Sequence, residues 1–184
     1  LFAIGTEIDS ILFTRNGNTN WMSLNFADMS NDSSKLQYCI IEYGSESGYD
    51  PYHGVFNCNN SSPTITNNTF RNNDSHVIDI NGSTADVFIS ENMFYNNYYF
   101  VIHMDDSSQA TIDGNSFTDN YYSAVKLENG IQAVINNNTI SSMYEYGINI
   151  NEDCDNIVIS NNIISGCAEG GIYLYRHNFT VDIK

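Results

Sequence analysis

Five asparagines, Asn68, Asn92, Asn115, Asn138 and Asn162, recur along the chain at intervals of 24, 23, 23 and 24 residues. Three positions before each stands an isoleucine (Ile65, Ile89, Ile112, Ile135, Ile159), and two positions after each a large apolar residue (Phe70, Phe94, Phe117, Ile140, Ile164). A unit this short cannot close a core of its own. Only the stacking of successive units buries the apolar set, so the period demands a solenoid. A second register runs with the first: Phe56/Cys58, Ile78/Ile80, Ile102/Met104, Val125/Leu127, Ile148/Ile150 and Ile172/Leu174 are apolar pairs with one residue between them. Each pair lies on one face of a short strand. The residue before each pair is small or slim: Val55, Val77, Val101, Ala124, Gly147, Gly171. No segment keeps apolar residues at helical spacing, and Asn-Gly, Asn-Asn, Asp-Asp and Ser-Ser clusters mark the turns. The expected fold is all-β and parallel, one domain over residues 1–184 with about seven coils of ~23 residues and a loop insertion at 44–53.

Coils stacked at the interstrand distance of ~4.8 Å set every inward residue against its equivalents above and below. The repeated asparagines then form an internal ladder whose amides satisfy turn backbone that water cannot reach. Composition narrows the setting. The formal charge is −16, from six Lys plus Arg against 22 Asp plus Glu. Nucleic acid and anionic membrane surfaces both need basic patches, and neither suits this chain. No run approaches the ~20 apolar residues of a membrane helix. The balance suits an extracellular protein that meets cations, or neutral or cation-bridged polysaccharide. Cys39 takes the asparagine position of its own coil and Cys58 faces the core, so both read as free buried thiols, while Cys154 and Cys167 are the candidates for a bridge. Without an initiator Met or a leader segment, the chain reads as a mature or excised piece.

The pattern Ile-x-x-Asn-x-(Phe/Ile) followed by (Gly/Ala)-Ile-x-(Leu/Ile) resembles the right-handed parallel β-helix superfamily, which includes pectate lyases and related carbohydrate-active proteins. The resemblance runs from about Leu12 to Ile183. The segments Trp21–Phe26, Leu36–Gly44 and Ser61–Ile65 look like β-helix repeat proteins secreted by bacteria and archaea. It implies a right-handed β-helix at an extracellular or cell-surface location. The motif is one of fold and carries almost no catalytic information.

Candidate sites follow from stacking. The outward residue within each apolar pair forms a row, Asn57, Asp79, His103, Lys126, Asn149 and Tyr173. Asp79, His103 and Lys126 could bind a sugar carboxylate and move the proton beside it; uronate lyases and epimerases of the resembled fold use acids, His, Lys and Tyr on this strand face. The alternative is a solvated strand face of alternating charge. Tyr49-Asp50-Pro51-Tyr52-His53 resembles the Tyr-x-x-Asp-Pro-His signature of mannuronan C5-epimerases, with altered spacing, and otherwise reads as an Asp-Pro turn. Asp105, Asp106, Glu128, Glu152 and Asp153 follow the core pairs, and Asp105 and Glu128 occupy equivalent positions on adjacent coils. No cofactor is required; a calcium ion could bridge these oxygens, as hard cations prefer, and the alternative is a set of solvated turn carboxylates. Tyr95, Tyr98, Tyr99, Tyr121, Tyr122, Tyr144 and Tyr146 gather in the turns after the asparagines as one aromatic edge, fit to stack on sugars or pack on a subunit, or equally to serve as a covering of the solenoid side. Strands near Leu1–Ile4 and Thr180–Lys184 lack an evident cap, which points to self-association through the solenoid ends, such as a head-to-tail filament. The residues favour a structural module, self-assembling or contacting polysaccharide, over a lyase or epimerase of uronate polymers. Scarcity of arginine (Arg15, Arg71 and Arg176) also weighs against uronate recognition.

Overall fold

A computed structural model describes residues 1–28, 30–45, 54–151, 153–175 and 180–184. These form three parallel sheets, traversed in turn by every coil, with no helix among the described residues. Sheet I comprises Phe2–Ile4, Lys35–Gln37, Thr64–Thr66, Asp86–Ser90, Gln109–Asp113, Gln132–Asn136, Ile157–Ser160 and Val181–Ile183. Sheet II comprises Ile11–Phe13, Cys39–Glu42, Thr69–Arg71, Met93–Tyr95, Ser116–Thr118, Thr139–Ser141 and Ile163–Ser165. Sheet III comprises Leu24–Phe26, Gly54–Asn59, His76–Asn81, Ile102–Asp105, Val125–Leu127, Tyr146–Ile150 and Gly170–Leu174.

The inward side chains stand in single file. Leu36, Ile65, Ile89, Ile112, Ile135, Ile159 and Ile183 are register partners along sheet I. On sheet II, Phe70, Phe94 and Phe117 stack with ring centroids 4.9 and 4.8 Å apart and nearly parallel planes. All three are fully buried. Truncating the middle ring, Phe94→Ala, removes contacts on both sides and costs about 3–5 kcal/mol. The apolar pairs of sheet III lie in register from Phe56/Cys58 to Ile172/Leu174. The slot before each pair is tight. A Cβ at Gly147 would lie 2.6 Å from the Gly171 carbonyl and 2.7 Å from Ile164, so that coil admits only glycine.

Two of the three corners share one construction. Between sheets I and II, residues Asn67, Glu91, Gly114, Asn137 and Asn161 turn the chain with φ of 54–67°, and each is followed by a ladder asparagine. Each ladder Oδ1 accepts from the backbone N–H of the preceding rung; for Asn92 the donor is Asn68 at 2.9 Å. Each Nδ2 donates to a core-strand carbonyl, as Asn92 does to Ile65 at 2.9 Å, and from Asn68 to Asn138 also to the next Oδ1. A second ladder, absent from the sequence reading, turns the corner from sheet II to sheet III: Asn73, Asn97 and Asn120, with Asn72, Asn96 and Asp119 in the left-handed turn position before them. It runs down to Met143, whose sulfur lies 3.9 Å from Asn120 Nδ2.

The first coils are irregular. Ala3 and Leu36 are register partners 33 residues apart, against 23 or 24 in the later coils, with tight turns at Thr6–Asp9 and Asn16–Thr19 enlarging the corners, and Leu36 and Ile65 are 29 apart because the connection from Cys39–Glu42 to Gly54–Asn59 is longer. Cys39 and Gly44 stand where the two ladders would have asparagine, and each still donates its N–H to the ladder, to Asn68 and Asn73. The bridge expected between Cys154 and Cys167 is not formed; none of the four cysteines is in a disulfide. Cys154 sits in the corner between sheets III and I and Cys167 in the corner between sheets II and III, so the cross-section separates them.

Candidate functional site: the outer face of sheet III and its tyrosine flank

The outward row on sheet III is continuous in register: Asn25, Asn57, Asp79, His103, Lys126, Asn149, Tyr173. A second row runs beside it through Asn59, Asn81 and Asp105, continued by Glu128 and Asn151, whose N–H groups bond Met104 and Leu127. The expectation of a solvated face is corrected at the centre of the first row. Asp79, His103 and Lys126 are 1%, 2% and 6% exposed. An aromatic wall leans over them: the His76 ring stacks on His103 at 4.7 Å, and Phe100 lies 6.1 Å from His103 with Lys126 Nζ 5.8 Å from its own ring centre.

Charges buried this far must be paired, and these are. His103 Nδ1 is 2.6 Å from Asp79 Oδ1 and its Nε2 is 3.0 Å from Glu128 Oε2. Lys126 Nζ lies 3.3 Å from Glu128 Oε1 and donates to Asn149 Oδ1 at 3.2 Å. Burial alone would push the His103 imidazole down, but its hydrogen bonds to the two carboxylates outweigh that and raise it to about 9. Its hydrogen bond with His103 holds the Glu128 carboxyl at about 2, against burial and with the help of Lys126. At neutral pH this is a cation between two anions, with a second cation beside one of them. Both imidazole nitrogens are occupied, so His103 offers no free lone pair to a substrate proton.

Like-charge crowding between Asp105 and Glu128 does not arise. Glu128 turns inward to His103, Lys126 and Asn151, while Asp105 accepts from Asn129 Nδ2 at 2.7 Å and from the Asp106 N–H. Among the described residues no three His, Cys, Asp or Glu side chains come together to hold a metal ion, and Asp153 lies in the turn between sheets III and I. Glu152 and the segment Tyr49–His53, with Tyr49, Asp50 and His53, lie outside the described residues.

Towards the N-terminal coils the same face opens. Asn25, Asn57, Asn59, Asn81 and the Asp79 carboxylate line a groove of about 290 Å³ floored by Phe26 and Ala27. Asn57 Nδ2 donates to Asn25 Oδ1, and Asn81 Nδ2 to Asp79 Oδ2, so the amides of Asn25, Asn57 and Asn81 are held in place. Neither Arg15 nor Arg71 reaches it: Arg71 is paired with Glu42 at 2.7 Å on sheet II, and Arg15 lies over the Tyr43 ring. The sequence reading found Asn57 and Asp79 but missed Asn25, Asn59 and Asn81; Asn59 and Asn81 stand 22 apart, two positions beyond the row it did find.

Along one side run the tyrosines. Tyr98, Tyr121 and Tyr144 stack face to face at 4.7 Å each, and Tyr99 stacks on Tyr122 at 5.5 Å. Tyr146 stacks instead on Tyr173 from within sheet III. Tyr95 does not belong to this edge; it ends a sheet II strand and accepts from Arg71. The ring faces inside the files are taken by neighbouring rings, so the files present edges and hydroxyls to solvent rather than platforms for sugar stacking.

Residues 53–183 match the family model described as right handed beta helix region, well over half of the chain. No curated protein matches it.

Proposed function

The chain belongs to the right-handed β-helix family, and from that premise we propose that it is a secreted or cell-surface structural module that binds neutral polysaccharide along the outer face of sheet III. One observation carries this: the open part of that face is a groove lined by four asparagines, three of them held by hydrogen bonds, beside the buried Asp79. Amides both donate and accept, which suits sugar hydroxyls. The cations that a uronate would need, His103 and Lys126, are buried and already bonded to Asp79, Glu128 and Asn149. That arrangement weighs against lyase or epimerase chemistry, which needs a reachable base.

Affinity electrophoresis in gels carrying xylan, mannan, β-glucan, pectate or alginate tests the reading. Retardation in a neutral gel, lost in Asn57→Ala/Asn81→Ala, is expected. Preference for pectate or alginate, or release of unsaturated uronate products absorbing in the ultraviolet, sinks it.

Self-association through the solenoid ends is a second reading. At the last described coil the inward Leu174 and Ile183 are 46% and 56% exposed, against 0% and 2% for their register partners Ile150 and Ile159. A further coil from any chain would cover them. Sedimentation velocity over a concentration series checks this: a lengthening series of species supports stacking, and a single monomer throughout rejects it.

A further inference from the structure

The tyrosine files end at one place, and what lies there differs from the rest of the flank. Tyr121 is covered on both faces, by Tyr98 and by Tyr144. Tyr144 is covered by Tyr121 alone among the described rings, and it is 64% exposed. On the next coil its position is taken by Ala168, whose N–H bonds the Met143 carbonyl just as that of Tyr144 bonds Asn120. A methyl group cannot cover a phenol ring, so the outer face of Tyr144 is left open. The neighbouring file changes character at the same level: Tyr99 and Tyr122 are followed by Glu145 and then Glu169, whose N–H bonds the Glu145 carbonyl.

Tyr121, Tyr122, Tyr144, Glu145, Tyr146 and Glu169 together line a cavity of about 330 Å³. Its wall is four aromatic rings and two carboxylates, with no cationic side chain among the described residues. Glu145 is fixed by accepting from Ser123 Oγ at 2.5 Å. Burial first, then the charge of Glu169, raises the Tyr146 hydroxyl above its usual range, so the carboxylate field is felt inside the cavity. We propose that this cavity binds an organic ammonium group, seated on the open face of Tyr144 and neutralised by Glu145 and Glu169.

The chemistry separates this occupant from its rivals. A hard metal ion such as calcium wants six to eight oxygens, and this site has two carboxylates among rings. An anion meets two negative charges. An organic ammonium gains both from the ring quadrupole and from the carboxylates. Its source is either a free small amine or the side chain of a lysine on a partner.

The test is an NMR titration of ¹³C-tyrosine-labelled protein with tetramethylammonium chloride and, separately, with N-acetyl-lysine amide, each against sodium chloride at the same ionic strength. A saturable shift of the Tyr144 ring signals by either probe is expected, and the tighter probe identifies the source. Tyr144→Ala and Glu169→Gln should each weaken binding about tenfold. Glu169→Gln is an exposed, nearly isosteric change, so it decides the matter if Tyr144→Ala fails to fold. Absence of saturation with both probes, an equal shift from sodium chloride, or unchanged affinity in Glu169→Gln overturns the proposal.

Discussion

The asparagine corners and the outer face of sheet III are both files of polar side chains set one coil apart, and they solve the same problem in opposite ways. Through five successive coils of the first corner every rung is the same residue. An amide carries donor and acceptor together, so Asn68, Asn92, Asn115, Asn138 and Asn162 pass hydrogen bonds down the file without any rung differing from the next. On sheet III the rungs change identity, Asn57, Asp79, His103, Lys126, Asn149, and each is satisfied only by its particular neighbours. A repeated rung specifies the solenoid. A row of unlike rungs specifies one location on it.

That contrast is open to attack. His103→Ala should have the largest effect, because it leaves Asp79 and Glu128 without the cation between them; a loss of about 3–5 kcal/mol in urea unfolding is expected. The double change Asp79→Asn/His103→Gln removes both charges and should recover most of that loss, and failure to recover would mean that shape rather than charge holds the row. Asn92→Ala comes next. It strips the acceptor from the Asn68 N–H and side chain and a donor from the Ile65 carbonyl, for about 2–4 kcal/mol. A loss below about 1 kcal/mol would show that the ladder is dispensable.

Stability against pH gives a finer separation, since the corners do not titrate and the row does. The folded-state pKa of His103 lies above its ordinary value, so its contribution is complete below about 6.5 and is lost as pH rises through about 9. Glu128 is shifted the other way: its contribution is complete above about 4.5 and is lost as pH falls through about 2. The row is therefore strongest between these limits, with an alkaline decline on the order of 3 kcal/mol from His103. Thermal melts across pH should show that decline in the wild type and not in His103→Ala. The smallest effect belongs to Met143→Asn, which would extend the second ladder by one rung. Lost apolar burial and gained hydrogen bonds are of similar size, so a change within about 1 kcal/mol is expected; a loss above about 2 kcal/mol would mean that the corner selects sulfur at this rung.

Much of this was legible beforehand for a physical reason. Register along a parallel solenoid is set by whatever recurs, and Ile65, Ile89 and their successors recur visibly. The Asn73, Asn97 and Asn120 ladder was equally present at spacings of 24 and 23, but it was hidden in a chain with 28 asparagines. Tyr38 and Tyr43, bulky residues in left-handed turn positions with φ of 51° and 58°, carry no repeat signal at all, so the early corners could not be read.

By itself the sequence determined the coil, its period, the inward files and the membership of the outward row, because each follows from repetition and from the strict alternation of strand side chains. Tertiary structure alone decided which members of that row are buried, how Glu128 turns to meet His103 and Lys126, and that the tyrosines cover one another until Tyr144. Those outcomes depend on rotamers and on side chains leaning in from neighbouring coils, which spacing along a chain does not encode.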